Sequence, residues 1–131
     1  LKGFAFRGGG VALSTCWEST GYVAVGDRPA DQALAVERVR ELGGGAAVAA
    51  EGRLLAEWRA PVAGLYSEAP AAEVLSEVTA VNNAIRELGG QTPNPLLTLE
   101  TLTTAAIPHL RLWAGGYYRL RDGARLGLEW E

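Results

Sequence analysis

The sequence predicts an α+β fold in which a mostly antiparallel, multi-stranded sheet packs with two main helices, at about 28–42 and 70–88. Three observations predict it. Two stretches repeat apolar residues at helical spacing, short apolar runs of strand length are separated by glycines, and a Glu-Gly turn joins two of these runs. Hydrophobic residues make up 48% of the 131 residues, which predicts a single domain over 1–131 with a substantial core.

The first part of the chain predicts three short strands, at 4–7, 11–17 and 22–25. The third is apolar on both faces, so we expect it to lie at the centre of the sheet and to be covered on both sides. Gly26 ends this strand. Asp27 is then expected to cap the first main helix, because a carboxylate can accept hydrogen bonds from the free amides of a helix start.

The helix at 28–42 is predicted from a stripe of apolar residues on one face: Ala35, Val36, Val39 and Leu42. The glycines at 43–45 provide its C-terminal stop. Residues 46–50 and 53–59 are expected to pair as a hairpin around a turn at 51–52, where glycine can take a positive φ.

The second helix, at 70–88, is predicted from apolar residues that repeat every three or four positions: Val74, Val78, Val81, Ile85 and Leu88. Asn82 and Asn83 lie in its middle, and we expect them to face solvent or to cap a neighbouring element. The Thr- and Leu-rich segment 95–104 is expected to be a strand at its centre. A terminal antiparallel meander is predicted from strands at 110–113, 117–121 and 125–130.

Composition excludes several classes of function. The net charge is −3 and the 12 Lys and Arg residues alternate with acids, so we expect no nucleic-acid partner. No apolar run approaches the ~20 residues that cross a bilayer, so we expect no membrane partner and a cytoplasmic location. Because there is one cysteine, Cys16, and one histidine, His109, we expect no internal disulfide and no metal or cofactor site within this chain. The chain begins at Leu1, which suggests a piece of a longer gene product or a processed or trimmed form.

Some residues suggest chemistry but have simpler interpretations. Cys16 as a nucleophile would need His109, 93 positions away, as its base, so a buried structural cysteine is favoured. The glycines at 8–10 could cradle a phosphate, but they lead into a strand and no lysine follows, so a turn is favoured. Four tryptophans could stack a purine but are more typical of core or interdomain contacts: Trp17, Trp58, Trp113 and Trp130.

Several fragments of the chain occur in the order and spacing of a known family. Residues 1–14 match a Lys-Gly-Phe segment followed by a Gly-Ala-(Ile/Val)-Ala-Ser-Ser strand, and 23–26 match a Val-Val-Gly step. The Pro-Val-Ala-Gly-Leu sequence at 61–65, with Ser67 after it, matches Leu-Pro-(Ile/Val)-Ala-Gly-Leu-Met-Ser and is the most specific fragment.

Two later fragments extend the match. Residues 94–99 resemble Pro-Phe-Met-Thr-Leu-Ser, and 107–110 resemble Val-Ile-Pro-Glu-Leu. Together the fragments resemble the C-terminal domain of the bacterial adenine deaminases, which are members of the amidohydrolase superfamily. The similarity covers about 1–113, and the terminal strands at 113–131 diverge.

The resemblance implies a parent protein made of a metal-dependent barrel, a small β domain and this domain. The parent reaction would convert adenine and water to hypoxanthine and ammonia, with Mn or Fe bound in the barrel and not in this chain. This domain would then be accessory and not catalytic alone. Its expected partners are the catalytic barrel of the same or a partner chain and possible further copies of itself, with a purine as the possible substrate.

One polar motif of the family is altered. Where the family carries His-Asp-Ser-His-Asn, this chain has Trp-Glu-Ser-Thr-Gly at 17–21, so both histidines are lost. Glu18 and Ser19 occupy the polar part of the motif and are the candidate site residues near a substrate entrance, although an isolated glutamate is more often a solvated surface residue. The loss also allows an alternative, a degenerate non-catalytic module for oligomerisation or small-ligand binding.

Overall fold

The part of the chain that the structure describes forms two antiparallel sheets and three α-helices, which confirms the α+β fold. The computed structural model describes residues 4–16, 21–104, 109–113 and 115–127, without the side chains of 112 and 113. The first sheet has the order β2-β1-β3-β4, from β1 (Gly10–Leu13), β2 (Val23–Gly26), β3 (Gly45–Ala50) and β4 (Arg53–Arg59). The second has the order β5-β6-β7, from β5 (Leu110–Trp113), β6 (Gly116–Arg119) and β7 (Ala124–Leu126). The helices are α1 (Pro29–Leu42), α2 (Ala71–Glu87) and α3 (Pro95–Glu100), and a 3-10 turn (Thr101–Thr103) follows α3.

The face of the first sheet that carries small side chains is covered by α1. Ala12 pairs with Ala47 across β1 and β3, and both pack with Ala49 against Ala35 and Val39 of the helix. Because alanine adds so little bulk, the helix backbone lies close to the strands. The approach is so tight that a Cβ atom on Gly10 would lie 2.4 Å from the Gln32 backbone nitrogen.

The opposite face of the same sheet carries the larger side chains and is covered by α2 and α3. Its fully buried members include Val11, Leu13 and Val48 of the sheet with Val81 and Ile85 of α2. The rest of the α2 stripe is partly buried and packs against this core, so the predicted helical face is confirmed. Burial of each such aliphatic side chain contributes about 1.5–3 kcal/mol, which makes this layer the main stabilising contact of the fold.

Two turn predictions are confirmed. Gly43 takes φ +78° after α1, and its amide donates to the carbonyl of Arg40. In the β3–β4 hairpin, Glu51 and Gly52 take φ +54° and +72°. Positive φ at both central residues is the pattern of a type I′ turn, which matches the twist of the strands it joins.

One predicted strand is absent, and another forms but lies at a different place in the sheet. Residues 4–7 form no strand, because Ala5 takes φ +58° and interrupts the alternation, although Phe4 and Phe6 both reach the core. The strand expected at the centre of the sheet, β2, lies at its edge and leaves Ala24 exposed. The small apolar residues of β2 resemble those of a strand that is covered on both faces, but in the structure only one face of β2 packs against the core.

The segment 95–104 is also corrected, from strand to helix. Asn94 accepts a hydrogen bond from the Leu97 amide at 3.3 Å, and Pro95 occupies the first turn, so these two residues start α3. Asn82 of α2 accepts from the buried Leu96 amide at 3.0 Å and thereby caps the same helix start. The expectation that the pair faces solvent or caps a neighbouring element is confirmed. Asn82 caps α3, and Asn83 is exposed.

The terminal meander is confirmed as the three strands of the second sheet, with residues 128–131 outside the described part of the chain. Arg111 of β5 donates from Nε to the Thr103 carbonyl at 3.0 Å. The meander is thus connected by a hydrogen bond to the turn that follows α3.

Candidate functional site

The two predicted site residues, Glu18 and Ser19, lie outside the described residues, as does Trp17. The structure does describe the residues on either side of 17–20. Thr15 and Cys16 precede this segment directly after β1, and Gly21 follows it before β2. The candidate site is therefore built from its surroundings.

Thr15 and Glu100 form the central contact beside this segment. The buried Thr15 hydroxyl donates from Oγ1 to Oε1 of Glu100 at 2.7 Å. Glu100 is the last residue of α3, whose Leu96 and Leu99 are buried in the core, so packing of that helix fixes the position of the carboxyl group. The core thus brings together two residues 85 positions apart in the sequence.

Burial raises the pKa of the Glu100 carboxyl, and the hydrogen bond from Thr15 only partly opposes this effect. A carboxyl group that loses solvent is harder to ionise, because burial disfavours its charged form. Sequence reasoning missed Glu100 because 95–104 was expected to be a strand. The Asn-Pro pair at 94–95 was the available signal that a helix starts here, but it does not point to Glu100 itself.

Cys16 lies in the same hydrophobic core as Leu96 and Leu99 of α3. It is a buried, free cysteine, as predicted. Burial raises the pKa of its thiol to about 11, a nearby Val23 amide lowers it, and the Glu100 carboxylate raises it again. The thiol is therefore protonated at neutral pH and is not an activated nucleophile. His109, the only candidate base, is exposed before β5.

The glycine segment at 8–10 is a turn, as favoured, and it binds one of the protein's own carboxylates. The Gly8 amide donates to Asp27 at 2.8 Å (Oδ1) and 3.0 Å (Oδ2), and the Gly9 amide donates to Oδ1 at 3.1 Å. These amides, led by Gly8, lower the pKa of Asp27. The expected helix cap is wrong, because Arg28 occupies the N-cap position of α1 and Asp27 is engaged by the glycines.

The tryptophans divide between core and undescribed positions. Trp58 is buried in the main core, and its indole Nε1 has no hydrogen-bond partner among the described residues. This position fits the expected core role and not a platform for a purine. Trp113 lies on β5, and Trp17 and Trp130 are outside the described residues.

Within 4–16, 21–104, 109–113 and 115–127, no group of three or more His, Cys, Asp or Glu side chains is placed to hold a metal ion. In the same part of the chain, no helix has the length and apolar character to span a bilayer.

Comparison with known proteins matches residues 1–123 to the family described as adenine deaminase C-terminal domain. An adenine deaminase from Cereibacter sphaeroides is 43% identical over 112 residues, which is 86% of this chain and 20% of that protein. Adenine deaminases from Dehalococcoides mccartyi and Moorella thermoacetica are each 37% identical over 112 residues, again 86% of this chain, and 20% and 19% of those proteins respectively.

The chain thus spans about a fifth of the length of the curated relatives that it matches. The fragments noted above all lie within the matched residues. The chain belongs to the adenine deaminase C-terminal domain family.

Proposed function

We propose that this chain serves as the accessory C-terminal domain of an adenine deaminase-like, metal-dependent amidohydrolase, and that it is not catalytic alone. The parent protein would convert adenine and water to hypoxanthine and ammonia. The observation that carries this proposal is the family match over residues 1–123 combined with coverage of only a fifth of the relatives. We take residues 1–131 as one domain of this protein and place it in the cytoplasm, with self-association as a possible further property.

The described residues do not fit a Mn or Fe site of their own. No suitable group of ligands is present among them, and the pKa of the Cys16 thiol is raised, which makes that side chain a poor ligand at neutral pH. A barrel elsewhere in the parent protein would bind the metal. We therefore assign no step at the metal to this chain.

The role of this domain would be to shape the entrance of the substrate site. Glu18 and Ser19 follow Thr15 closely in the sequence, and Thr15 donates a hydrogen bond to the partly buried Glu100 carboxyl group. The Glu100 carboxyl group, held in position by α3, would accept a hydrogen bond from the amine of a purine.

The experiment is ammonia release from adenine with added Mn²⁺, measured on the 131-residue chain and on the longest native gene product that contains it. We expect release by the long form only. Release by neither form, with metal occupancy of the long form confirmed, would exclude adenine deamination. Release by the short chain alone would exclude the accessory role.

A pair of variants in the long form tests the proposed entrance. Glu18→Gln is expected to lower kcat/KM for adenine by at least about tenfold, equivalent to about 1.4 kcal/mol. Glu68→Gln is the matched control, since Glu68 is an exposed carboxylate in a loop, and should leave kcat/KM unchanged. Equal kinetics of the two variants would remove Glu18 from the site.

The alternative function is a degenerate, non-catalytic module for oligomerisation or small-ligand binding. The observation that favours it is the Trp-Glu-Ser-Thr-Gly sequence at 17–21, which lacks both histidines of the family motif. A metal-loaded long form that binds adenine without releasing ammonia would support this alternative.

A further inference from the structure

The loop between β4 and α2 exposes three large apolar side chains within five residues. Tyr66 is 67% exposed, and Val62 and Leu65 are each 41% exposed. Val62 and Tyr66 face each other across an isolated antiparallel bridge, so their side chains project from the same side of the loop. These three residues are called the apolar loop patch. None of them is a lysine or arginine, so the patch itself offers no cation to the phosphates of a nucleic acid or an anionic lipid surface.

The backbone beneath the patch is held in one conformation. Val62 and Tyr66 exchange both of their amide–carbonyl hydrogen bonds, at 3.0 and 3.1 Å. Between them, Ala63 and Gly64 take φ +56° and +73°, the pattern of a tight type I′ turn. The backbone groups of Val62 and Tyr66 are thus paired with each other, while the side chains of both residues remain exposed.

A second set of contacts ties the loop to the sheet. The Ser14 hydroxyl donates to the Gly64 carbonyl at 2.7 Å and accepts from the Gly45 amide at 2.8 Å. A Cβ atom on Gly44 would lie 2.4 Å from the Gly64 Cα atom, so the two backbones are in direct contact. Ser14 immediately precedes Thr15, which places the loop beside the candidate site.

We propose that the apolar loop patch is the surface on which this domain docks against the catalytic barrel of its own protein, an inference that rests on the function proposed above. Three side chains fall far short of the about 800 Å² per partner that a stable complex of separate chains buries. Within one chain, the covalent connection supplies a high effective concentration, so a small preformed apolar patch is sufficient. The relatives carry this domain in proteins about five times as long as the matched part, which provides such a partner.

The test compares two positions of equal exposure in the barrel-containing protein. Tyr66 of the patch and Leu75 of α2 are both 67% exposed. The variants Tyr66→Cys and Leu75→Cys carry the same thiol at each position, and the native Cys16 is buried. We expect maleimide to label the thiol at position 66 at least about tenfold more slowly than the thiol at position 75, because the barrel covers the patch.

Equal labelling rates at the two positions would overturn the proposal. Slow labelling at position 66 that becomes fast when the protein is diluted would also overturn it, since a second copy would then be the occupant. The readout needs no catalysis. Slow, dilution-independent labelling at position 66 in a protein that releases no ammonia would support the docking surface and reject the deaminase activity. Equal labelling at the two positions in a protein that releases ammonia would reject the docking surface and support the deaminase activity.

Discussion

Two carboxylates at opposite ends of β1 have opposite environments. Asp27, near the start of β1, is exposed and accepts three hydrogen bonds from the Gly8 and Gly9 amides, and its pKa is lowered. Glu100, near the end of β1, is partly buried and accepts one hydrogen bond from Thr15, and its pKa is raised. Hydrogen bonding favours the ionised form at both positions, so loss of solvent around Glu100 accounts for the difference.

The comparison separates a structural carboxylate from a candidate functional one. Both carboxylate oxygens of Asp27 accept hydrogen bonds from the Gly8 and Gly9 amides. The role of this side chain is therefore structural. Glu100 has a pKa raised by burial, and its hydrogen-bond donor Thr15 comes just before residues 17–20 in the sequence. Perturbed carboxyl groups of this second kind are concentrated at functional sites.

The largest effect should come from disrupting the glycine turn that holds Asp27. A Cβ atom on Gly9 would lie 2.4 Å from the Ala49 carbonyl oxygen, so Gly9→Ala must shift the turn away from β3. We expect a loss of about 2–3 kcal/mol in the free energy of unfolding, measured by urea denaturation of the 131-residue chain. Gly8→Ala is the control: its Cβ atom would meet nothing within 4 Å, and only its φ of +81° is unfavourable. Equal losses for the two variants would show that the close approach at Gly9 does not matter.

The second effect concerns the charge on Asp27. Because its pKa is lowered in the folded state, the carboxylate stabilises the fold above its ordinary pKa of 3.8, and this contribution is lost as pH falls through the lower folded value. We expect Asp27→Asn to lower the Tm by a few degrees at neutral pH and to differ less from the original protein in acid. The exposed Glu68→Gln provides the reference for removing a surface charge. A constant difference between Asp27→Asn and the original protein at all pH values would contradict the assignment.

The smallest effect should have the opposite sign and occur at Glu100. Its raised pKa means that ionisation is disfavoured in the folded state, so stability falls as pH rises from the ordinary value of 4.5 through the folded one. Glu100→Gln should match the original protein in acid and be slightly more stable at neutral pH. Thr15→Val removes the opposing hydrogen bond and should raise the pKa of Glu100 further, as followed by carboxyl ¹³C chemical shifts. A Glu100 pKa below 4.5 in the original protein would reverse the comparison.

Local patterns were sufficient for much of the fold. The apolar stripes at 28–42 and 70–88 gave both main helices within two residues of their ends, and the turn at 51–52 gave the hairpin. These elements depend on periodicity and on glycine, which are local properties of the chain. The strand expected at 95–104 was wrong because the Asn94–Pro95 helix start outweighed the β-preference of the threonines.

The candidate site was less accessible from the sequence. Glu18 and Ser19 came from the family motif alone, and no pattern pointed to Glu100. The contact of Glu100 with Thr15 depends on α3 packing through Leu96 and Leu99, and on Asn82 of a different helix capping α3. Long-range contacts of this kind have no signature within a single segment.

The sequence by itself determined the α+β class, the two main helices, the hairpin, the terminal meander and the family, because each of these is encoded by residue spacing or by short fragments in order. Only the tertiary structure decided that β2 lies at a sheet edge, that Asp27 binds the glycines and does not cap the helix, and that Glu100 lies beside Thr15. The physical reason is that burial and hydrogen-bond partners depend on which distant segments meet. The charge state of a carboxyl group follows from that meeting and not from its neighbours in sequence.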